Sequence, residues 1–248
     1  MGGHSHWKGI KEKKGAADAK RGKLFAKLLR AIEISARQGD PNPDNNPTLF
    51  DAIQRAKDAS TPKDNIERAI KRGSGDVSGE NWERVSYEGY GAGGVAILVD
   101  ALTNNRNRTS QDLRAIFRKH GGSLAEPGAV QWLFERRGVV LVEKQKASED
   151  DVMAAALEGG ADDVREDGDE WEVVSAPAVF EAVKESLAGA GIEIASAEVT
   201  MLPQNTVAVD GTEARSVLKL IDALEDHDDV QQVFGNFDIP DSIFADAG

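Results

Sequence analysis

Near residue 75 the chain changes its hydrophobic period, and the structures open to it change as well. Upstream of "GSGDVSG" (73–79), apolar residues return at helical spacing: Phe25, Leu28, Leu29 and Ile32 sit at i, i+3, i+4 and i+7 within a helix expected from about Ala16 to Gln38. "GDPNPDNNPTLF" (39–50) interrupts that period with turn formers. Asn46 and Pro47 then supply a cap and a first-turn proline for a helix reaching Ser60, with Leu49, Ile53 and Ala56 inward. "STPKDNIERAIKRGSG" (60–75) repeats the grammar, with Thr61 as N-cap, Pro62 in the first turn, Ile66, Ala69 and Ile70 inward and Gly73 as the stop. Three helices of this length form a bundle.

Downstream, short apolar runs alternate with helical segments. "GVAILVD" (94–100) reads as a buried strand, "NRTSQDLRAIFRKHG" (107–121) as a helix with Leu113, Ile116 and Phe117 inward, and "AVQWLFE" (129–135) as another strand. The glycines of "YEGYGAGGVA" (87–96) read as turns before a strand. Then "VVLVE", "SEDDVMAAALEGG", "DDVRE", "EWEVVS", "PAVFEAVKESLAGAG" and "IEIASAEVTM" spell β-α-β-β-α-β across 139–201, the order of a ferredoxin-like unit. The C-terminal "NTVAVD", "GTEARSVLKLIDALE" and "DVQQVFGNFD" spell β-α-β once more. Added to the β-α-β of 94–135, they make a second such unit with the first inserted in its middle.

The expected fold is therefore α+β: an N-terminal three-helix domain followed by two ferredoxin-like α+β domains, one inserted in the other. The domains are placed at 1–76 (basic, helical), at 77–136 together with 203–240 (discontinuous, central) and at 137–202 (inserted, acidic). This nesting requires strand pairing between 94–135 and 206–237. A length of 248 residues suits such a division, since single cores seldom organise that much chain.

Charge is divided along the same lines. The chain carries 30 Lys and Arg against 43 Asp and Glu, a formal net charge of −13, yet residues 1–72 hold 16 basic residues against 9 acidic ones. Residues 139–248 hold 6 against 26. At physiological salt, electrostatic fields are screened over about 8 Å, so a basic end held apart from an acidic end acts independently. On the first helix, at about 100° per residue, Lys20, Lys23, Lys27 and Arg30 fall opposite the apolar stripe, with Arg21 beside them, and are expected to face solvent. Lys8, Lys11, Lys13 and Lys14 continue the charge into a glycine-interrupted tail where Trp7 is available to stack on a base. Arg106 and Arg108 stand at the start of a helix, where the macrodipole disfavours cations unless an anion shares the place. Arg114 and Arg118 extend that cluster. These patterns point to phosphate, and so to nucleic acid.

Other chemistries find less support. The four histidines, His4, His6, His120 and His227, form no motif with a nucleophile, and G-x-S-x-G, H-E-x-x-H and Walker A sequences are absent. "DDVREDGDE" (162–170) fails the calcium-loop pattern because Arg165 falls where a ligand belongs. In "LEDHDDVQQVFGNFD" (224–238) the acids around His227 fit a divalent cation, a solvated loop, or a corner that meets the basic head and masks it. If Met1 is removed, Gly2-Gly3-His4 offers a square-planar set for copper(II) or nickel(II). With no cysteine and no apolar run of the roughly 18 to 20 residues that span a bilayer, the expectation is a cytoplasmic protein, not an enzyme, with no cofactor, no small-molecule substrate and no membrane partner.

Taken in order, "GHSHW", "IKEKKGAADAKRGK", "TPKDNIERAIKRG", "YEGYGAGGVA", "LTNNRNRT" and "LEDHDDVQ" resemble the YebC family, which includes the mitochondrial translational activator of cytochrome oxidase. Departures are local: His6 stands where the pattern has lysine, "EKK" where His-Arg-Lys is common, and Asn104 where aspartate is usual. The resemblance implies a helical head, two α+β units and a role in gene expression. Family members divide between DNA-binding transcriptional regulators and ribosome-associated translation factors that relieve stalls such as those at consecutive prolines. The expected function is a nucleic-acid-binding regulator of gene expression. The alternative is a translation factor on ribosomal RNA with the ribosome as partner, which a lysine-rich face suits because lysines position on phosphate and specify little.

Overall fold

Helices precede every strand among the described residues. The computed structural model describes Gly3, residues 18–75, 81–240 and 242–243, with residues 18–21 given by their backbone alone. Helices α1 (Asp18–Gln38), α2 (Pro47–Asp58) and α3 (Lys63–Gly73) enclose Leu28, Ile32, Leu49, Ile53, Ile66 and Ala69. Asn46 starts α2: its Oδ1 accepts from the Leu49 N–H at 3.1 Å, while its Nδ2 donates to the Ser35 carbonyl at 2.9 Å and ties the turn to α1.

The start of α3 corrects the sequence reading. The N-cap position is held by Pro62, with no side-chain cap, and Thr61 instead takes part in closing the end of α2. Ser60 takes φ +58, the Thr61 N–H donates to the Ala56 carbonyl at 2.8 Å and the Ser60 N–H to that of Lys57 at 2.8 Å. This is a Schellman closure, so Thr61 is consumed in stopping one helix instead of starting the next. Gly73 ends α3 for a different reason than backbone freedom. A Cβ there would lie 2.2 Å from the Glu33 carbonyl oxygen, so only glycine lets α3 approach α1 this closely.

The remaining elements, in chain order, are β1 (Glu83–Tyr90), β2 (Ala96–Thr103), α4 (Arg106–Lys119), β3 (Ser123–Leu124), β4 (Phe134–Glu143), α5 (Glu149–Glu158), β5 (Asp163–Asp167), β6 (Glu170–Ser175), α6 (Phe180–Gly189), β7 (Ser196–Pro203), β8 (Val207–Ala208), α7 (Gly211–Glu225), β9 (Val230–Gly235) and β10 (Phe237–Asp238). A central antiparallel sheet runs β3-β1-β2-β9. The pairing of β2 with β9 brings Ile97 opposite Gly235 and Val99 opposite Val233. Ile97 and Val99 pack with Leu113 and Phe117 of α4 and Val217 and Ile221 of α7, while Ala96 and Leu98 on the opposite face meet Val130, Leu133 and Phe134. Burial on both faces is why β2 reads as an uninterrupted apolar run. The inserted sheet runs β5-β6-β4-β7, the ferredoxin-like order, with α5 and α6 over Val140, Val142, Trp171 and Val173.

Two strand expectations change. The segment 129–135 is not a strand of the central sheet: Gln131–Leu133 forms a 3-10 turn and Phe134 opens β4 of the other sheet. The cause is Glu88, a buried carboxylate that accepts from the N–H groups of Gly128 (2.6 Å), Val130 (2.6 Å) and Gln131 (2.8 Å) and curls the chain around itself. The vacant place is filled by β1, a strand absent from the sequence reading; of the glycines read as turns before a strand, Gly91, Gly93 and Gly94 do form the turn before β2, whereas Gly89 lies in β1. Gly89 lies inside that strand because a Cβ would meet the Phe117 ring at 2.6 Å. "NTVAVD" also contributes only the two residues of β8, paired with β10 outside the central sheet.

The helical head is tied to both α+β units. Arg55 of α2 donates to the Gln231 carbonyl on β9 at 3.2 Å, Arg84 of β1 to Ser35 Oγ on α1 at 3.1 Å, and Arg136 of β4 pairs with Asp51.

Candidate nucleic-acid interface

A helix leaves its last carbonyls without intrahelical partners and concentrates negative potential there. In α7 the sequence adds Asp226 and Asp228 to that end, and the polar face of α1 answers it. Lys27 Nζ donates to the Glu225 carbonyl at 2.5 Å; Lys23 Nζ donates to the Asp226 carbonyl and pairs with Asp228 at 3.0 Å. Lys27 is only 8% exposed. Burial, followed by repulsion from Lys23, pushes its ammonium down to about 8, against the pull of Asp228, Glu225 and Asp226. The expected outward-facing stripe is corrected here: Lys27 is buried and Lys23 is engaged, because the last carbonyls of α7 and Asp228 lie within their reach. The acidic corner does meet the head.

The second predicted cluster lies beside this corner. Asn105 caps α4 by accepting from the Arg108 N–H at 3.1 Å. The Arg108 guanidinium donates to Asp229 at 2.7 Å and to Asn104 Oδ1 at 3.1 Å. Thr109 Oγ1 donates to the same Asp229 oxygen at 2.7 Å and meets Thr103 Oγ1 at 2.8 Å. Burial pushes the Asp229 carboxyl up, but the hydrogen bonds from Thr109 and Arg108 outweigh it and hold the group below the ordinary aspartate value. The anion that reconciles Arg108 with a helix N-terminus is thus the protein's own carboxylate. Arg106 differs. Its side chain is 63% exposed and, among the described residues, pairs with Glu83 at 3.7 Å. Arg114 and Arg118 lie exposed further along α4.

Between the clusters stands the start of β1. Trp82, held to α1 by the Gln38 Nε2 donation to its carbonyl at 2.6 Å, carries the Arg30 guanidinium 5.0 Å above its ring. Next to it, Glu83 faces Arg106. Arg37 and Arg72 share Glu33 at 2.8 and 3.1 Å, on the same side of α1 as Arg30. Two predicted groups, Arg30 on α1 and Arg106 on α4, are therefore joined through two consecutive residues, Trp82 just before β1 and Glu83 at its start. Sequence reasoning missed Trp82, Arg37 and Arg72. Arg37 carried a signal, since it follows Arg30 by two helical turns; Trp82, in "ENWER", carried none.

Trp7, Lys8, Lys11, Lys13 and Lys14 lie outside the described residues, as do Gly2 and His4 of the candidate metal-binding terminus and the side chains of Lys20 and Arg21; Gly3 is described, and its N–H donates to Asp167 Oδ1 at 2.8 Å. Among the described residues, no group of three or more His, Asp or Glu is arranged to hold a metal ion, and no helix is long and apolar enough to cross a membrane.

Fold and site together define a three-part α+β protein: a helical head, two sheet units of which one interrupts the other, and a cationic tract where the head meets the central sheet. The profile of the TACO1/YebC N-terminal domain matches residues 5–76, and that of the TACO1/YebC second and third domains matches residues 82–237. The chain belongs to the TACO1/YebC family. It is 54% identical over 247 residues to a protein of Rubrobacter xylanophilus and 53% identical over 244 residues to one of Dictyoglomus thermophilum, each named a probable transcriptional regulatory protein. The alignments cover 99% and 98% of this chain and the same shares of those relatives. Among solved structures it is similar to a conserved hypothetical protein of Aquifex aeolicus, with TM-score 0.75 and 47% identity, covering 90% of this chain and 92% of that one.

Proposed function

We propose that this protein is a nucleic-acid-binding regulator of gene expression, and that it holds the phosphate backbone along the tract running from Arg72, Arg37 and Arg30 of the head to Arg106 at the start of α4. The observation that carries this reading is the junction at Trp82 and Glu83, which sets two separately basic elements side by side. The names of the Rubrobacter and Dictyoglomus relatives support regulation of transcription, and so DNA as a target.

The tract is built to position rather than to read bases. Its arginines are spread along a seam and two of them are already paired with Glu33, an arrangement suited to phosphate contacts that carry little sequence information. Lys8, Lys11, Lys13, Lys14, Lys20 and Arg21, with Trp7, extend the same backbone path in this reading, while Lys23 and Arg108 stand at its acidic margin. The domains are taken as 1–76, 77–136 with 203–240, and 137–202, so that the tract lies between the first two.

Fluorescence anisotropy with a labelled duplex and a labelled single strand tests the proposal. Binding that weakens steeply with salt, and that loses about tenfold in Arg106→Glu, is the expected result. Binding that is indifferent to salt and to that substitution rejects it.

A further inference from the structure

Where α1 and α3 diverge from Trp82 there is a cleft of about 370 Å³, lined by Ala26, Leu29 and Ile34 and by the charged groups of Arg30, Glu33, Arg37 and Arg72. Three guanidiniums face one carboxylate. Glu33 takes Nη2 of Arg37 at 2.8 Å and Nε of Arg72 at 3.1 Å, which fixes both arginines without neutralising the cleft. Nε of Arg37 is buried and makes no hydrogen bond among the described residues. That atom is sealed from solvent, but the Arg37 side chain is 26% exposed, so an anion in the cleft meets the guanidinium through its other atoms. The volume falls near the lower end of small-ligand sites.

The wall of the cleft adds a second chemistry. The central carbon of the Arg30 guanidinium lies 5.0 Å from the centroid of the Trp82 ring. Both groups are flat and both line the cleft, and bases stack on arginine planes as they do on aromatic rings. A phosphate at Arg37 and Arg72 with a base on the Arg30–Trp82 pair describes one nucleotide.

We infer that this cleft is a nucleotide subsite, taking one phosphate and one unpaired base of a single-stranded nucleic acid. It rests on the nucleic-acid reading above and makes it specific: a paired base is already stacked on its neighbours, so the subsite favours single strand over duplex. Glu33 is the counterweight that keeps the two phosphate-facing arginines in place and sets how tightly the strand is held.

The test uses the full chain with a labelled 12-nucleotide oligouridylate, its deoxy counterpart, a duplex of equal length and free uridine monophosphate as competitor. Arg37 and Arg72 bridge two helices through Glu33, so the variants are Arg30→Ala and Glu33→Gln, each checked for native circular dichroism. Arg30→Ala is expected to weaken both single strands about tenfold and the duplex about twofold, whereas Glu33→Gln tightens the single strands about threefold. Opposite signs from neighbouring residues are not produced by a merely structural role. Single strands bound equally by wild type and both variants overturn the subsite while leaving the regulator intact, because Arg106→Glu still reports on the tract. Free nucleotide competing as strongly as the strand overturns the assignment to a strand. A wild-type chain that binds none of the probes removes the subsite and the regulator together.

Discussion

Lys27 Nζ is held 2.5 Å from the carbonyl oxygen of Glu225, so a lysine from the basic head closes the last turn of a helix in the acidic half of the chain. The two ends of a strongly polarised sequence are thereby fastened at one buried point. Its pH dependence runs against the intuition for an ion pair. Lys27 has its ammonium pushed down to about 8 in the folded protein against 10.5 as the ordinary value. Between those values the unfolded chain holds more protons than the folded one, so stability rises with pH across that window and the burial penalty is present in full below it. Chemical denaturation of wild type and Lys27→Met at a series of pH values checks this. The difference, wild type minus variant, is expected to grow by on the order of 2 kcal/mol across the window; a difference that shrinks would show an ordinary salt bridge.

Asp228 holds Lys23 at the mouth of the same contact, where both groups are well exposed. An exposed pair of this kind contributes about 0.5 kcal/mol, so its removal costs little stability. Asp228→Asn takes away one carboxylate and leaves Lys23 with the Asp226 carbonyl alone. Affinity for nucleic acid is expected to rise about threefold at low salt and to converge on wild type as salt is raised. Anisotropy titrations at several salt concentrations measure both features.

Glu88 organises the loop that carries Trp132, which is 66% exposed. Burial pushes the Glu88 carboxyl up, and the hydrogen bonds from Gly128, Val130, Gln131 and Ala129 outweigh that and hold it below 4.5. The stability it contributes is present above the ordinary glutamate value and is lost as pH falls through the depressed one. Glu88→Gln turns an acceptor into a donor facing N–H groups, at a cost of about 2 kcal/mol. Urea melts from neutral to acid pH are expected to show wild type converging on the variant at the acid end; parallel curves would mean that Glu88 is not the acid-sensitive group.

Gly73 tests the approach of α3 to α1. Helix propensity alone favours alanine over glycine by about 1 kcal/mol. Here a Cβ would meet the Glu33 carbonyl oxygen at 2.2 Å, and backbone cannot yield as a side chain does. Gly73→Ala is expected to destabilise the protein by about 2 kcal/mol in thermal denaturation. A stabilised variant would show that the two helices have room between them.

The helical head was legible because its signals are local: Leu28, Leu29 and Ile32 of the α1 stripe pack into its core, though Phe25 does not, and the Asn46 cap survives into the structure. The order of the inserted unit was legible for the same reason, each strand and helix being marked by its own period. What failed was set by distant partners. Gly89 looks like a turn residue until Phe117 is placed against it, and "AVQWLFE" looks like a strand until Glu88, some forty residues upstream, gathers its N–H groups. The site divided likewise. Charge pattern located the cationic elements, Arg30 and Arg106 among them, but the direction of Lys23 and Lys27 depended on where the α7 terminus comes to rest, and Trp82 entered through tertiary packing that no spacing announces.

Salt dependence of binding in the double variant Arg30→Glu/Arg106→Glu puts the cationic tract to its most direct test. Each phosphate contact contributes about 0.9 to the slope of log affinity against log salt on duplex DNA, so the account expects a slope shallower by roughly 2, with affinity down at least tenfold and the fold intact. An unchanged slope with unchanged affinity would contradict it and place the interface elsewhere on the molecule.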